Sequence, residues 1–369
     1  VPRKDLFSLS LGKLEDQIDL FGSAGSVGKL RIFMRDGLFF VSNGQGRKVM
    51  EFSSYGDLIA LVYDPDYDPA PVLFGEQGGG TSIKRAIEHP LREAGEIVVN
   101  SRKDFYVEDR LPPDRRVEGQ GGGYVLDAVV LRFGQDGSYR DYLGQEGLGG
   151  TPFPNIASIH CTARDDIVVV TASTTDHGLY WFKDDGTLRY SLSVKRDALP
   201  LPEGEGYIAS LEKLLPDPNE ERIYMKVDYY KETVDASTGA QTGVEYDQSL
   251  VWSIDPEDGR IDRPVKAPVI RKRDDSGFSD RMYARSYELL GITQGGQFYY
   301  VMPEEDGSFD LLVVDGLEGR TRKFLLAAPG DDIVASDLRL GLDGIISGIF
   351  VGAREARVSW WRMDKALGN

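Results

Sequence analysis

The sequence predicts an all-β protein: a six-bladed β-propeller of four-stranded antiparallel blades, its ring closed by the N-terminal strand. Three observations carry that expectation. Short apolar runs recur along the chain, separated by tight turns rich in Gly and Asp. The runs group in fours, and a four-stranded meander of this size cannot bury both faces unless it packs against copies of itself. The last group lacks a strand, and the N-terminus offers one that alternates in the right way.

The clearest copy is the stretch 29–63, KLRIFMRDGLFFVSNGQGRKVMEFSSYGDLIALVY. It reads as strands over 30–34, 38–42, 48–53 and 58–63. The turns Arg35-Asp36-Gly37 and Ser54-Tyr55-Gly56 use glycine where a tight hairpin needs a positive φ. A second copy, 95–143, carries an insertion. The third, 156–194, is compact. The fourth, 209–263, is again interrupted, with its last strand expected over 260–263. The fifth covers 287–326. The sixth, 336–363, has three strands only. The segment 5–11, DLFSLSL, is expected to add the missing one and remove a free sheet edge. All 369 residues are thus expected to form one propeller domain.

Composition narrows the function classes. Hydrophobic residues make up 41% and aromatics 10%, enough to fill a core of this size. The net charge of −17 argues against a nucleic-acid binder, whose affinity would come largely from neutralising phosphates. No run reaches the roughly 18 apolar residues of a membrane-spanning helix. The one cysteine, Cys161, lies in the apolar strand IASIHCTA and reads as a buried, inert thiol. The chain begins at Val1, which leads to the expectation of a removed leader and lipid anchor upstream.

Strand direction alternates within a blade, so first-to-second and third-to-fourth turns emerge at one end of the propeller. These turns are uniformly short: 35–37, 54–56, 135–137, 164–166, 184–186, 257–259 and 343–344. The long segments 12–28, 64–90, 109–124, 195–207, 230–247 and 265–283 gather at the other end. Long loops collected on one face make that face the candidate for binding. The candidate binding residues there are Arg110, Arg115, Arg116, Tyr124, Tyr229, Tyr230, Tyr246, Arg271, Lys272, Arg273 and Phe278. The tyrosines suit interface anchoring or sugar stacking, with strand-end packing as the bland alternative. The cluster IRKRDD over 270–275 is diluted by its own aspartates, and a short helix capped by Thr81 or Ser82 is expected over 81–89.

Catalytic signatures are scarce. Any metal site would have to draw on His89, His160 and His177. His160 is expected to line the axial channel if it points inward, with His89 near a blade link and His177 in a second-to-third turn. Asp64, Asp66 and Asp68, and Glu304, Glu305 and Asp306, supply hard oxygens without EF-hand spacing. There is no nucleophile elbow and no P-loop, so no cofactor is expected.

One blade resembles a known repeat. The run Asp36-Gly37-Leu38-Phe39-Phe40-Val41-Ser42-Asn43, followed by Gly46-Arg47-Lys48-Val49-Met50-Glu51-Phe52 and Tyr55-Gly56, looks like an NHL repeat. In such repeats the positions of Asn43 and Arg47 tie adjacent strands. Leu179-Tyr180-Trp181-Phe182 with Asp185-Gly186 keeps part of the pattern. The degenerate repeats also resemble spirochaetal envelope lipoproteins of propeller type. With the loop-elaborated face and the scarce catalytic signatures, the expectation is a noncatalytic, extracytoplasmic scaffold that presents that face to another envelope protein. A metal-dependent hydrolase, lactonase or lyase at the channel mouth, and a carbohydrate-binding module, remain as alternatives.

Overall fold

The computed structural model describes residues 1–22, 27–67, 85–119, 124–234, 241–273, 282–327 and 332–368. They form six antiparallel blades around an axis. Blade one is Leu30–Arg35, Leu38–Asn43, Lys48–Phe52 and Leu58–Tyr63. Blade two is Ile97–Val99, Phe105–Arg110, Ala128–Phe133 and Tyr139–Gly144. Blade three is Ile156–Cys161, Ile167–Ala172, Asp176–Phe182 and Leu188–Lys195. Blade four is Tyr207–Pro216, Ile223–Val234, Gln241–Ile254 and Val265–Lys266. Blade five is Glu288–Ile292, Gln297–Pro303, Phe309–Asp315 and Thr321–Leu326. Blade six is Ala335–Leu340, Ile345–Val351, Glu355–Arg362 and the N-terminal Lys4–Ser10.

The period-2 pattern explains why the ring holds. Successive side chains of a strand face opposite sides of the blade, so each blade packs on both neighbours. In blade one Phe39 and Val41 pack against Ile349 and Val358 of blade six, while Phe40 joins Val107 and Val129 of blade two. The same division recurs for every adjacent pair, giving six cores around the ring. Trp181 sits in the core between blades three and four, its indole N–H donating to Asp166 at 3.0 Å.

Closure is by the expected strand. Lys4–Ser10 pairs antiparallel with Glu355–Arg362, from Lys4 opposite Trp360 to Ser10 opposite Glu355. The Ser359 hydroxyl donates to Asp5 at 2.7 Å. Phe7 inserts against Phe39 and Phe52, with ring centroids 5.8 and 5.4 Å apart. Gly56 is what admits it: a Cβ there would lie 2.7 Å from the Cβ of Phe7, and φ is +86°.

Four expectations need correcting. Residues 68–84 lie outside the described set, but Arg85–Glu88 is no helix. It is a fifth strand of blade one, parallel to Leu58–Tyr63. The blade edge offers unpaired backbone groups, and Ile87 packs into the core between blades one and two. That tertiary gain overrides local helix preference. The last strand of blade four is Val265–Lys266, and Ile261 makes only a bridge to Ile254. The insertion over 230–247 is largely sheet, because strands two and three of blade four run on as a long hairpin. The segment after 265 likewise holds a hairpin, Val269–Arg273 with Met282–Ser286.

Candidate functional site

The long-loop end is built from the arm of blade two, the blade links and the two hairpins of blades four and five. The arm starts where the Leu111 N–H donates to the Asp127 carbonyl at 2.8 Å. Pro113–Arg115 makes one 3-10 turn, and Val117–Glu118 pairs with Val125–Leu126. Gly119 lies under the Tyr124 ring, where a Cβ would come within 2.4 Å of a ring carbon. Glycine is therefore required for Tyr124 to fold across the arm. Tyr124 is still 45% exposed, beside exposed Val117 and Val125.

The arginines of this region are engaged with the blade, Arg110 half-buried and Arg115 and Arg116 exposed. Arg110 meets Asp127 at 2.8 Å and the Pro154 carbonyl at 3.3 Å. Arg116 meets Asp127 at 3.4 Å, and Arg115 stacks over Tyr142 at 5.6 Å. They hold the arm to the blade. Beneath the arm, between blades two and three, runs a groove of about 740 Å³. Tyr124, Tyr180, Ser191 and Ser193 line it, with the carboxylates of Glu118, Glu146 and Asp176. The Tyr180 hydroxyl donates to Gln145 at 3.1 Å. Burial, then Asp176 and Glu146, raises the pKa of that phenol, so it stays a neutral donor.

A smaller cavity of about 370 Å³ lies between the two hairpins, lined by Lys231, Glu245, Tyr246, Asp247 and Arg271 among others. Tyr230 and Tyr246 meet edge to face at 5.8 Å. Below them Asp228 accepts from Ser249 at 2.5 Å and from Ser286 at 3.1 Å. Lys226, fully buried, sits 2.8 Å from Asp228 and 3.2 Å from Glu212. Bonded to both carboxylates, Lys226 braces neighbouring strands of blade four. Tyr229 is fully buried and takes no part in the surface. Its hydroxyl donates to the Pro200 carbonyl at 2.6 Å and accepts from Trp252 at 2.8 Å. Phe278 lies outside the described residues, as do the side chains of Lys272 and Arg273.

The three histidines do not converge. His89 packs on Tyr139 and Phe133, with centroids 4.6 and 5.2 Å away. His177 lies in the third strand of blade three rather than in a turn, 3.4 Å from Arg196. His160 does line the axial channel. Burial pushes its imidazole down to about 3, helped by Lys213 and Arg339, and its Nε2 lies 2.9 Å from the Ser158 hydroxyl. Among the described residues no three His, Cys, Asp or Glu side chains form a metal set. Burial likewise pushes the Cys161 thiol up to about 12, which leaves no thiolate at neutral pH. Asp64 pairs with Arg47 at 3.0 Å, and Asp306 caps its own turn through Ser308. Asn43 reaches out of its blade, bonding both backbone groups of Asp19 in the preceding link rather than tying adjacent strands.

Sequence reasoning missed the charges inside the channel. Glu96 is gripped by Arg31 and Arg339, each at 2.5 Å, and Arg339 also holds Asp337 at 2.9 Å. Burial alone would raise the Glu96 carboxyl, but Arg339 and Arg31 hold it down at about 2. The network joins blades one, two and six across the axis. Its signal was present: a charged residue inside the apolar first strands LRIFMR and ASDLRL. Tyr180 and Gln145 of the groove carried no such signal.

No protein-family model matches the sequence, and no curated protein matches it. Solved structures of similar form include the polysaccharide lyase Uly1, at 10% identity and TM-score 0.45, covering 97% of this chain and 98% of that one. The β-propeller domain of the trilobed protease from Pyrococcus furiosus is 10% identical with TM-score 0.44, covering 90% and 95%. An ulvan lyase bound to a GlcA(1-4)Rha3S unit is 11% identical with TM-score 0.40, covering 97% and 83%. At this overlap they carry no argument about what the present chain binds or turns over.

Proposed function

We propose that this protein is a rigid propeller scaffold that docks a protein partner through its long-loop end. One observation carries the reading. Most of the large apolar side chains left exposed belong to that end: Leu14, Phe21 and Val27 in the first link, Val117, Tyr124 and Val125 on the arm, Leu201 and Ile208 before and within blade four, Val234 and Val244 on the hairpin. Single exposed apolar residues are ordinary on any surface. Their segregation to one end is not, and it suits an interface core of aromatic and aliphatic anchors. The ring fixes these anchors on sheet, which lowers the ordering cost of binding. The blade-one resemblance to NHL repeats supports a protein partner, and the likeness to envelope propellers supports an extracytoplasmic setting for it.

The test is affinity capture from envelope extracts with three forms of the chain: wild type, the triple variant Val117→Ser/Tyr124→Ser/Val125→Ser, and Tyr55→Ser at the opposite end. A protein retained by wild type and Tyr55→Ser but lost with the triple variant supports the reading. Equal retention by all three overturns it. The groove beside Tyr124 favours a second, compatible reading, that of a saccharide-binding surface. Its two tyrosines and its ring of hydroxyls and carboxylates are what a sugar face and its hydroxyls require. Loss of binding to immobilised polysaccharide in both the triple variant and a Tyr180→Ala variant, with Tyr55→Ser retained, would select it.

A further inference from the structure

We propose that the axial channel is itself a binding site, for a small organic carboxylate with an apolar tail that enters from the short-turn end. The cavity in the channel measures about 110 Å³, room for several waters or one small molecule. Its walls are mixed: Phe33, Val98, Ile159, Leu290 and Leu338 project from the first strands of five blades, and polar surface of similar extent lies between them. Two charged side chains and one imidazole share it. Arg339 is already matched by Glu96 and Asp337. His160 is held neutral and is engaged with Ser158.

Lys213 is different. It lines the same cavity, and among the described residues no hydrogen bond or ion pair engages its ammonium group. The neighbouring carboxylate, Glu212, lies 3.2 Å from Lys226 and acts on Lys213 only through the field, with no ion pair to it. A half-buried ammonium beside those apolar side chains, with no carboxylate in direct contact, has room to take a bound anion. One free cation matches a monoanion. A phosphate or dicarboxylate would bring a second charge with nothing free to meet it. The apolar side chains of the wall match a short tail, which a bare inorganic ion lacks.

Strand direction sets the entrance. Thr162, Pro216, Pro218 and Leu342 line the cavity and lie at or just beyond the ends of first strands, on the short-turn side. Toward the long-loop end Arg31, Glu96, Asp337 and Arg339 of blades one, two and six are ion-paired with one another. The site is therefore separate from the surface proposed for the protein partner, and either can fail alone.

Calorimetric titration of the full chain at neutral pH tests this with butyrate, against butylammonium, 1-butanol and chloride as probes of charge and tail. Butyrate is expected to bind at one site and to raise the melting temperature, with the three controls at least tenfold weaker. Lys213→Met should weaken butyrate by tenfold or more, while Lys213→Arg retains it. Leu338→Phe, which fills the cavity, should abolish it. Butyrate binding that matches butanol or chloride, or that survives Lys213→Met, overturns the proposal. So does the absence of butyrate binding to the wild-type chain, a result that needs no variant to fold.

Discussion

The two ends of the propeller solve opposite problems. At the short-turn end, polar groups are spent on the next blade. Asp165 of blade three accepts the Ser101 backbone N–H of blade two at 2.8 Å, and Arg164 of blade three meets Glu221 of blade four at 3.1 Å. Asn219 reaches the Gln294 carbonyl of blade five at 2.8 Å. Lys103 of blade two pairs with Asp36 of blade one. Exposed ion pairs are worth little singly, but those anchored to backbone hold each turn in register with its neighbour. At the long-loop end the arm's arginines are paired within their own region and many apolar tips are exposed. The difference teaches that one end spends its polar groups on the next blade and the other leaves apolar groups exposed.

The largest expected effect comes from breaking the ring on which both ends depend. Deleting residues 1–11 removes Phe7 and Leu9 from their core and bares the edge of blade six. Each such side chain contributes about 1.5–3 kcal/mol by burial. Thermal unfolding with light scattering should show a large fall in melting temperature and aggregation. An unchanged melting temperature would sink the closure.

Next comes the brace across the axis. Glu96→Gln leaves two part-buried guanidinium groups without their shared carboxylate, although Arg339 keeps Asp337, and a loss of about 1–3 kcal/mol is expected. The wild type carries a pH signature of the same contact. The folded pKa of Glu96, about 2, lies below its ordinary 4.5. Its contribution is therefore full above pH 4.5 and lost as pH falls toward 2. Denaturant titrations across that window should lose this part of their slope in Glu96→Gln.

Gly119→Ala sharpens the comparison on the long-loop side. The added methyl must displace the Tyr124 ring. A modest loss, about 1 kcal/mol or less, is expected in stability, together with a changed exposure of Tyr124 in its fluorescence or labelling. Smallest of all is Tyr124→Ser against Tyr55→Ser. Both residues are exposed, so both should stay within about 0.5 kcal/mol of wild type. Only the first should weaken capture of a partner. A loss from Tyr55→Ser would instead move the interface to the short-turn end.

Strand periodicity, glycine turns and the missing strand of the last repeat determined the fold from the chain alone. Each is a local property: period 2 assigns the faces, and a turn of two or three residues leaves its strands no choice but to pair. The same logic located the elaborated end, since strand direction follows from counting. What tertiary structure decided was everything set by which blade lies beside which. Arg85–Glu88 became a strand because a sheet edge was there to receive it. Tyr229 went into the core and Tyr124 stayed out, although both stood at the ends of strands. Lys213, Arg339, Glu96 and His160 are spread over four blades and more than two hundred residues of sequence. Only ring closure brings them to one axis, because a long-range contact leaves no periodic trace in the sequence that makes it.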